Sequence, residues 1–229
     1  MKLEKVTEGS GRWYDDACGT AHALELVGER WSLLIVRELM FGPRRFSELR
    51  RSLAGISANV LTQRLDGLEW AGVLLRRTLP PPAGVQVYEL TEWGYEAEPA
   101  IQELGRWAAR SPRHDPTLPL SPVSLMISFR TMFAAERAGG MAVRLGFRFG
   151  VDLFEAVVAD GALAIRRGES QAPDALVSGA PEAVASHVYG GAALDGLEQA
   201  RALTIEGDRA AFQRFAALFT LPPKAAAAG

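Results

Sequence analysis

The chain has 229 residues, is 48% hydrophobic and 23% charged, and carries a formal net charge of −2 at pH 7. That length allows one large hydrophobic core or two small ones, and the composition is that of a globular chain rather than a disordered or fibrous one. A single cysteine excludes an internal disulfide, three scattered histidines (His22, His114, His187) offer no metal-ligand spacing, and no apolar run is long enough to span a bilayer.

The opening MKLEKVTEGSGRWYDD has no apolar stretch of signal-peptide length, and one cysteine fits a reducing compartment. A cytoplasmic protein without membrane contact is expected. Residues 1–17 read as a polar arm. From Cys18 a short amphipathic helix runs to Gly28, carrying Ala21, Leu24 and Val27. GERWSLLIVRELMFG then reads as a second helix, with Trp31, Leu34, Ile35, Leu39 and Met40 on its apolar face and Trp31 in the core.

Residues Gly42 to Arg77 read as two helices joined by a tight turn and followed by a strand. Pro43 suits an early helical position. Phe46, Leu49 and Leu53 form one stripe, Gly55 breaks the helix, and Ser57 is a good N-cap for the next. Leu61, Leu65 and Leu68 face inward there, and Asn59, Thr62, Gln63 and Asp66 face outward. Asn and Gln carry a donor and an acceptor together, which suits adenine's major-groove edge, whereas arginines suit phosphates. Seven arginines (44, 45, 50, 51, 64, 76, 77) stand against three acids (Glu48, Asp66, Glu69) in this stretch. A helix-turn-helix on double-stranded DNA is one reading, with Arg44, Arg45, Ser57, Asn59, Thr62, Gln63, Arg64, Arg76 and Arg77 as contacts. A solvated helical hairpin is the other.

Two β-rich runs, Val73–Leu75 and Val85–Leu90, flank TLPPPAG as a hairpin. Thr91 caps a long helix that Pro99 kinks. Its Ile101, Leu104, Trp107 and Ala108 form a stripe that either meets a second copy or packs on its own domain.

The blocks GERWSLLIVREL, GPRRFSELRRSLAGIS, VLTQRL and YELTEWG, behind a cysteine at the first helix, resemble the HxlR-type winged-helix transcriptional regulators. The resemblance runs from Cys18 to about Arg110. It implies a DNA-binding homodimer built by the first and last helices, with 57–70 as recognition helix on a near-palindromic operator. It also raises Cys18 as an oxidant sensor, against which stands a buried structural thiol.

Residues 112–122 contain four prolines and read as a stiff linker between a domain at 1–111 and another at 123–229. In the latter, Val143, Leu145, Phe147, Phe149 and Val151 alternate with polar or small residues, the pattern of a half-buried strand. Leu125–Phe129, Leu153–Val158, Ala162–Arg167 and Ala202–Glu206 read as further strands, and Pro181–Tyr189 and Asp208–Phe219 as helices. The tail PPKAAAAG reads as frayed.

This half resembles sterol-carrier-protein-type lipid-binding domains in its strands, its DALVSGAPEA helix start and its late IEGDRAAFQRF segment. The resemblance implies an antiparallel-sheet α/β sandwich enclosing an apolar tunnel. Phe129, Phe147, Phe149, Phe212 and Phe215 either line that tunnel for a small apolar ligand or fill a solid core. Arg130 or Arg148 either flanks its mouth or faces solvent.

The fold class expected is therefore α+β in two domains. Nothing points to an enzyme or a cofactor: there is no phosphate loop, no nucleophile elbow and no paired histidines. The function expected is dimeric transcription regulation, with ligand control in the second domain. The alternatives are a carrier of apolar metabolites and a thiol-based regulator.

Overall fold

The computed structural model describes residues 14–226, so most of the arm expected over 1–17 lies outside the described residues. They form two compact units: 14–36 with Pro43–Gly94, and Arg37–Gly42 with 95–226.

The first unit holds α1 (Gly19–Val27), most of α2 (Ser32–Leu39), α3 (Phe46–Ser52), α4 (Ala58–Trp70) and a hairpin of β1 (Leu74–Thr78) and β2 (Gln86–Leu90). Ile35, Val36, Leu49, Leu61, Leu65 and Leu68 are sealed from solvent, which is the stripe pattern expected of these helices. Two details differ. Helix α1 buries no residue at all, and Trp31 is only half-buried, at a φ of +84°. Pro43 lies outside α3, because Arg44 beside it pairs backbone-to-backbone with Tyr88 of β2, and that bridge holds the segment extended.

Two short helices follow the hairpin, α5 (Glu92–Tyr95) and α6 (Glu98–Ala109), where one long helix was expected. The Thr91 hydroxyl accepts from Gly94 N at 3.0 Å and donates to Gly72 O at 2.8 Å. A Cβ on Gly94 would stand 2.0 Å from Val73 O, so no larger residue fits there. Pro99 sits in the first turn of α6, where it lacks no hydrogen bond and causes no kink.

Helix α6 groups with the second unit, ahead of the proline-rich stretch at 112–122. That unit continues with α7 (Pro122–Met132), α8 (Ala135–Ala138), β3 (Val143–Phe149), β4 (Asp152–Ala159), β5 (Ala162–Arg167), β6 (Ala175–Gly179), α9 (Pro181–Gly190), α10 (Leu194–Gln199), β7 (Leu203–Gly207) and α11 (Arg209–Ala216). The strand expected at Leu125–Phe129 is instead the middle of α7, capped by the Ser121 hydroxyl on Ser124 N. Helix α7 is covered on most sides, so its run of apolar residues shows no helical period.

The sheet order is β5-β4-β3-β6-β7. It is mixed rather than antiparallel, because β3 and β6 run parallel, with Leu145 opposite Ala175 and Arg148 opposite Ser178. A parallel pair needs a crossover, here supplied by β4 and β5. On one face, rings from α7 and α11 pack on β3. On the other, Glu155 is buried under the loop at 168–174. The tail is pinned rather than frayed as far as residue 225: Lys224 Nζ donates to Ala109 O and Ser111 O, each at 3.1 Å, and Ala225 N donates to Arg110 O at 2.7 Å.

Candidate nucleic-acid interface

The helix-turn-helix is α3, a turn through Gly55, and α4. Gly55 has a φ of +89°, a region glycine enters without penalty. Ser57 then starts α4, its hydroxyl accepting from Val60 N at 3.2 Å. Ser57 is therefore engaged as a cap, its residue still exposed. Leu61, Leu65 and Leu68 anchor α4 inward, which leaves Asn59, Thr62, Gln63 and Asp66 exposed on the opposite side.

The expected arginine contacts divide sharply. Arg44 is 3% exposed and its Nε lies 3.5 Å from a Glu48 oxygen, so it is a core residue of the turn and not a surface contact. Arg64 pairs with Glu29 at 3.0 Å and donates from Nε to Arg30 O at 3.1 Å. Arg76 bridges Asp66 at 2.7 Å and Glu69 at 3.0 Å, its guanidinium over the Tyr88 ring. The hydrogen bond that Arg76 donates to Asp66 pushes the Arg76 pKa up, and burial pushes the Tyr88 phenol up. Arg77 pairs with Glu89 across the hairpin. Arg45, Arg50 and Arg51 are exposed on and beside α3 with no ion pair among the described residues. Arg50 and Arg51 are not among the contacts expected from the sequence. Knowing which arginines are already paired requires the fold.

The HxlR-like helix-turn-helix family model matches residues 26–115. The HTH-type transcriptional regulator YodB of Bacillus subtilis is 38% identical over 86 residues, which cover 38% of this chain and 77% of that protein. The chain belongs to the HxlR-like helix-turn-helix family. The uncharacterized HTH-type transcriptional regulator YtfH of Escherichia coli is 34% identical over 97 residues, covering 42% of this chain and 77% of that protein. The solved reduced form of YodB matches 44% of this chain and all of its own, at 34% identity and a TM-score of 0.39. As an HxlR-like protein the chain is a transcription regulator of the helix-turn-helix type. The match ends at residue 115, before the five-stranded sheet begins.

The other candidate residues lie in different surroundings. Cys18 is exposed at the N-cap of α1, where backbone N–H groups of Thr20 and Ala21 lower its thiol pKa. It is not the buried structural thiol that the sequence also allowed. Phe129, Phe147, Phe149, Phe212 and Phe215 are all buried in the second unit, and they touch one another. The Phe129 ring lies 5.9 Å from Phe147 and 5.4 Å from Phe215, and Phe147 lies 6.4 Å from Phe212 and 5.9 Å from Phe149. Arg130 neither flanks a mouth nor faces solvent: it grips both Glu98 oxygens at 2.8 Å, donates to Ile165 O and covers the Phe41 ring. Arg148 is exposed. Among the described residues no cluster of His, Cys, Asp and Glu is placed to hold a metal, and no helix is long and apolar enough to cross a membrane.

Proposed function

We propose that the chain acts as a homodimer that reads a near-palindromic site in double-stranded DNA. The outward face of α4 carries this reading: Asn59, Thr62 and Gln63 stand exposed on a helix anchored by three buried leucines. Asn and Gln in that position suit bidentate contacts to adenine. The phosphate contacts come from Arg45, Arg50 and Arg51, because Arg44, Arg64, Arg76 and Arg77 already have acidic partners. Dimerisation is supported by α6, where Leu104 is 48% and Trp107 74% exposed, an apolar face that a second copy would cover. A gel shift with the DNA flanking the protein's own gene tests this function. A discrete complex that resists random competitor is expected.

The second unit, sterol-carrier-like in this reading, receives an apolar effector. Its mixed sheet with an aromatic layer under α7 and α11 supports that role. The rings are already in mutual contact, so a guest must select a state in which they part. An alternative input is Cys18, supported by its exposure and lowered pKa. Oxidant-dependent DNA release in wild type and not in Cys18→Ser would favour the thiol.

A further inference from the structure

We propose that the depression between α1 and α4 in the first unit is a binding site for a small aromatic cation. Its volume is about 790 Å³, within the range of small-molecule sites. Tyr14, Leu24 and Trp70 line it and are 57%, 49% and 67% exposed, an unusual gathering of large apolar side chains on one concave surface. Such groups supply the stacking surface that a planar ring takes, and an indole face attracts positive charge.

Charge sets the sign of the ligand. Among the described residues, the charged ones lining the depression are Glu25, Glu29 and Arg64. Arg64 is matched by Glu29 at 3.0 Å. Among the described residues the Glu25 carboxylate accepts a backbone N–H, that of Tyr14, and meets no cationic side chain, so one negative charge stays unmatched there. Gly67 supplies the room. It lies within α4, where glycine is a poor helix former, and a Cβ there would meet nothing within 4 Å. A side chain would be compatible with the backbone, yet the position holds none.

Gln63 and Arg64 of α4 also line the depression. An occupant therefore touches the helix assigned to DNA, and its affinity would differ between the free and DNA-bound chain. The site itself stands independently of that assignment, and so does its test.

The test is fluorescence polarisation of rhodamine 6G, a bulky aromatic cation, titrated with the full chain in the absence of DNA. Fluorescein, similar in size and negatively charged, is the control. Saturable binding of one rhodamine 6G per chain is expected, with none of fluorescein. Glu25→Gln should weaken it about tenfold, and Trp70→Ala by a similar factor. Gly67→Leu should abolish it with the thermal melt maintained, because the new side chain fills the depression. Absence of saturable binding, equal binding of fluorescein, or binding indifferent to both Glu25→Gln and Gly67→Leu would overturn the proposal. So would an affinity that falls as the chain is concentrated, the behaviour expected if a second copy seats in the depression.

Discussion

Arg76, on the first strand of the hairpin, donates to Asp66 on the outward side of α4 at 2.7 Å. This ion pair, extended to Glu69 and laid over Tyr88, ties the hairpin to the proposed reading helix and occupies the cation. Both partners are substantially exposed, so solvent screens the pair and its contribution is small. Arg76→Ala should cost less than about 1 kcal/mol in a urea melt. It should change the salt dependence of DNA binding little; a large flattening would mean that Arg76 leaves Asp66 for a phosphate.

Arg50 and Arg51 should behave in the opposite way. Each is exposed without an acidic partner among the described residues. Replacement by Gln should weaken specific and random DNA alike and reduce the salt slope by about one per lost phosphate contact. Binding isotherms at several salt concentrations check this. A loss confined to one DNA sequence would assign these side chains to bases.

Glu155 gives a pH prediction in the second unit. Burial raises its pKa, but hydrogen bonds from Arg144, Ser170 and Arg166 outweigh that and bring it down from 4.5 to about 2. A carboxylate whose folded pKa lies below its unfolded one stabilises the fold above the unfolded value. That contribution is lost as pH falls through the folded one. Wild type should therefore lose stability between about pH 4.5 and 2 more steeply than Glu155→Gln, as followed by acid melts. Parallel curves would show that the network contributes nothing.

The phenylalanine layer predicts a steric response. Phe147 is 1% exposed and lies within 6.4 Å, ring to ring, of Phe129, Phe149, Phe212 and Phe215. Phe147→Trp should overpack and destabilise by about 1–3 kcal/mol. An unchanged melting temperature, together with a fatty-acid-induced shift in wild type, would mean that the rings enclose space.

The oligomer should not depend on the thiol. Sedimentation of Cys18→Ser under reducing conditions should still show a dimer, whereas Trp107→Ala with Leu104→Ala should dissociate it. A monomeric Cys18→Ser would reverse that assignment.

Much of the first unit was legible because its signals are local. The leucines of α4 recur at helical spacing, Gly55 marks the turn, and Ser57 caps the next residue run. The burial of Arg44 was not legible, since it depends on a backbone bridge to Tyr88 far along the chain. In the second unit the alternation of β3 was plain, but α7 looked like a strand because a helix covered on most sides loses its polar face. The Ser121-Pro122 pair was the available helix-start signal. The parallel pairing of β3 with β6 was hidden because no local pattern records which distant strand comes alongside.

In the proposed function, α4 reads base sequence through Asn59 and Gln63. The most direct test is the ratio of affinities for a selected operator and for random DNA, measured at one salt concentration for wild type and the Asn59→Ala, Gln63→Ala double variant. The ratio should collapse, each lost contact removing about 1–3 kcal/mol of discrimination, while random-DNA affinity stays close to wild type. A ratio equal to that of wild type in a folded variant would move base recognition off this helix.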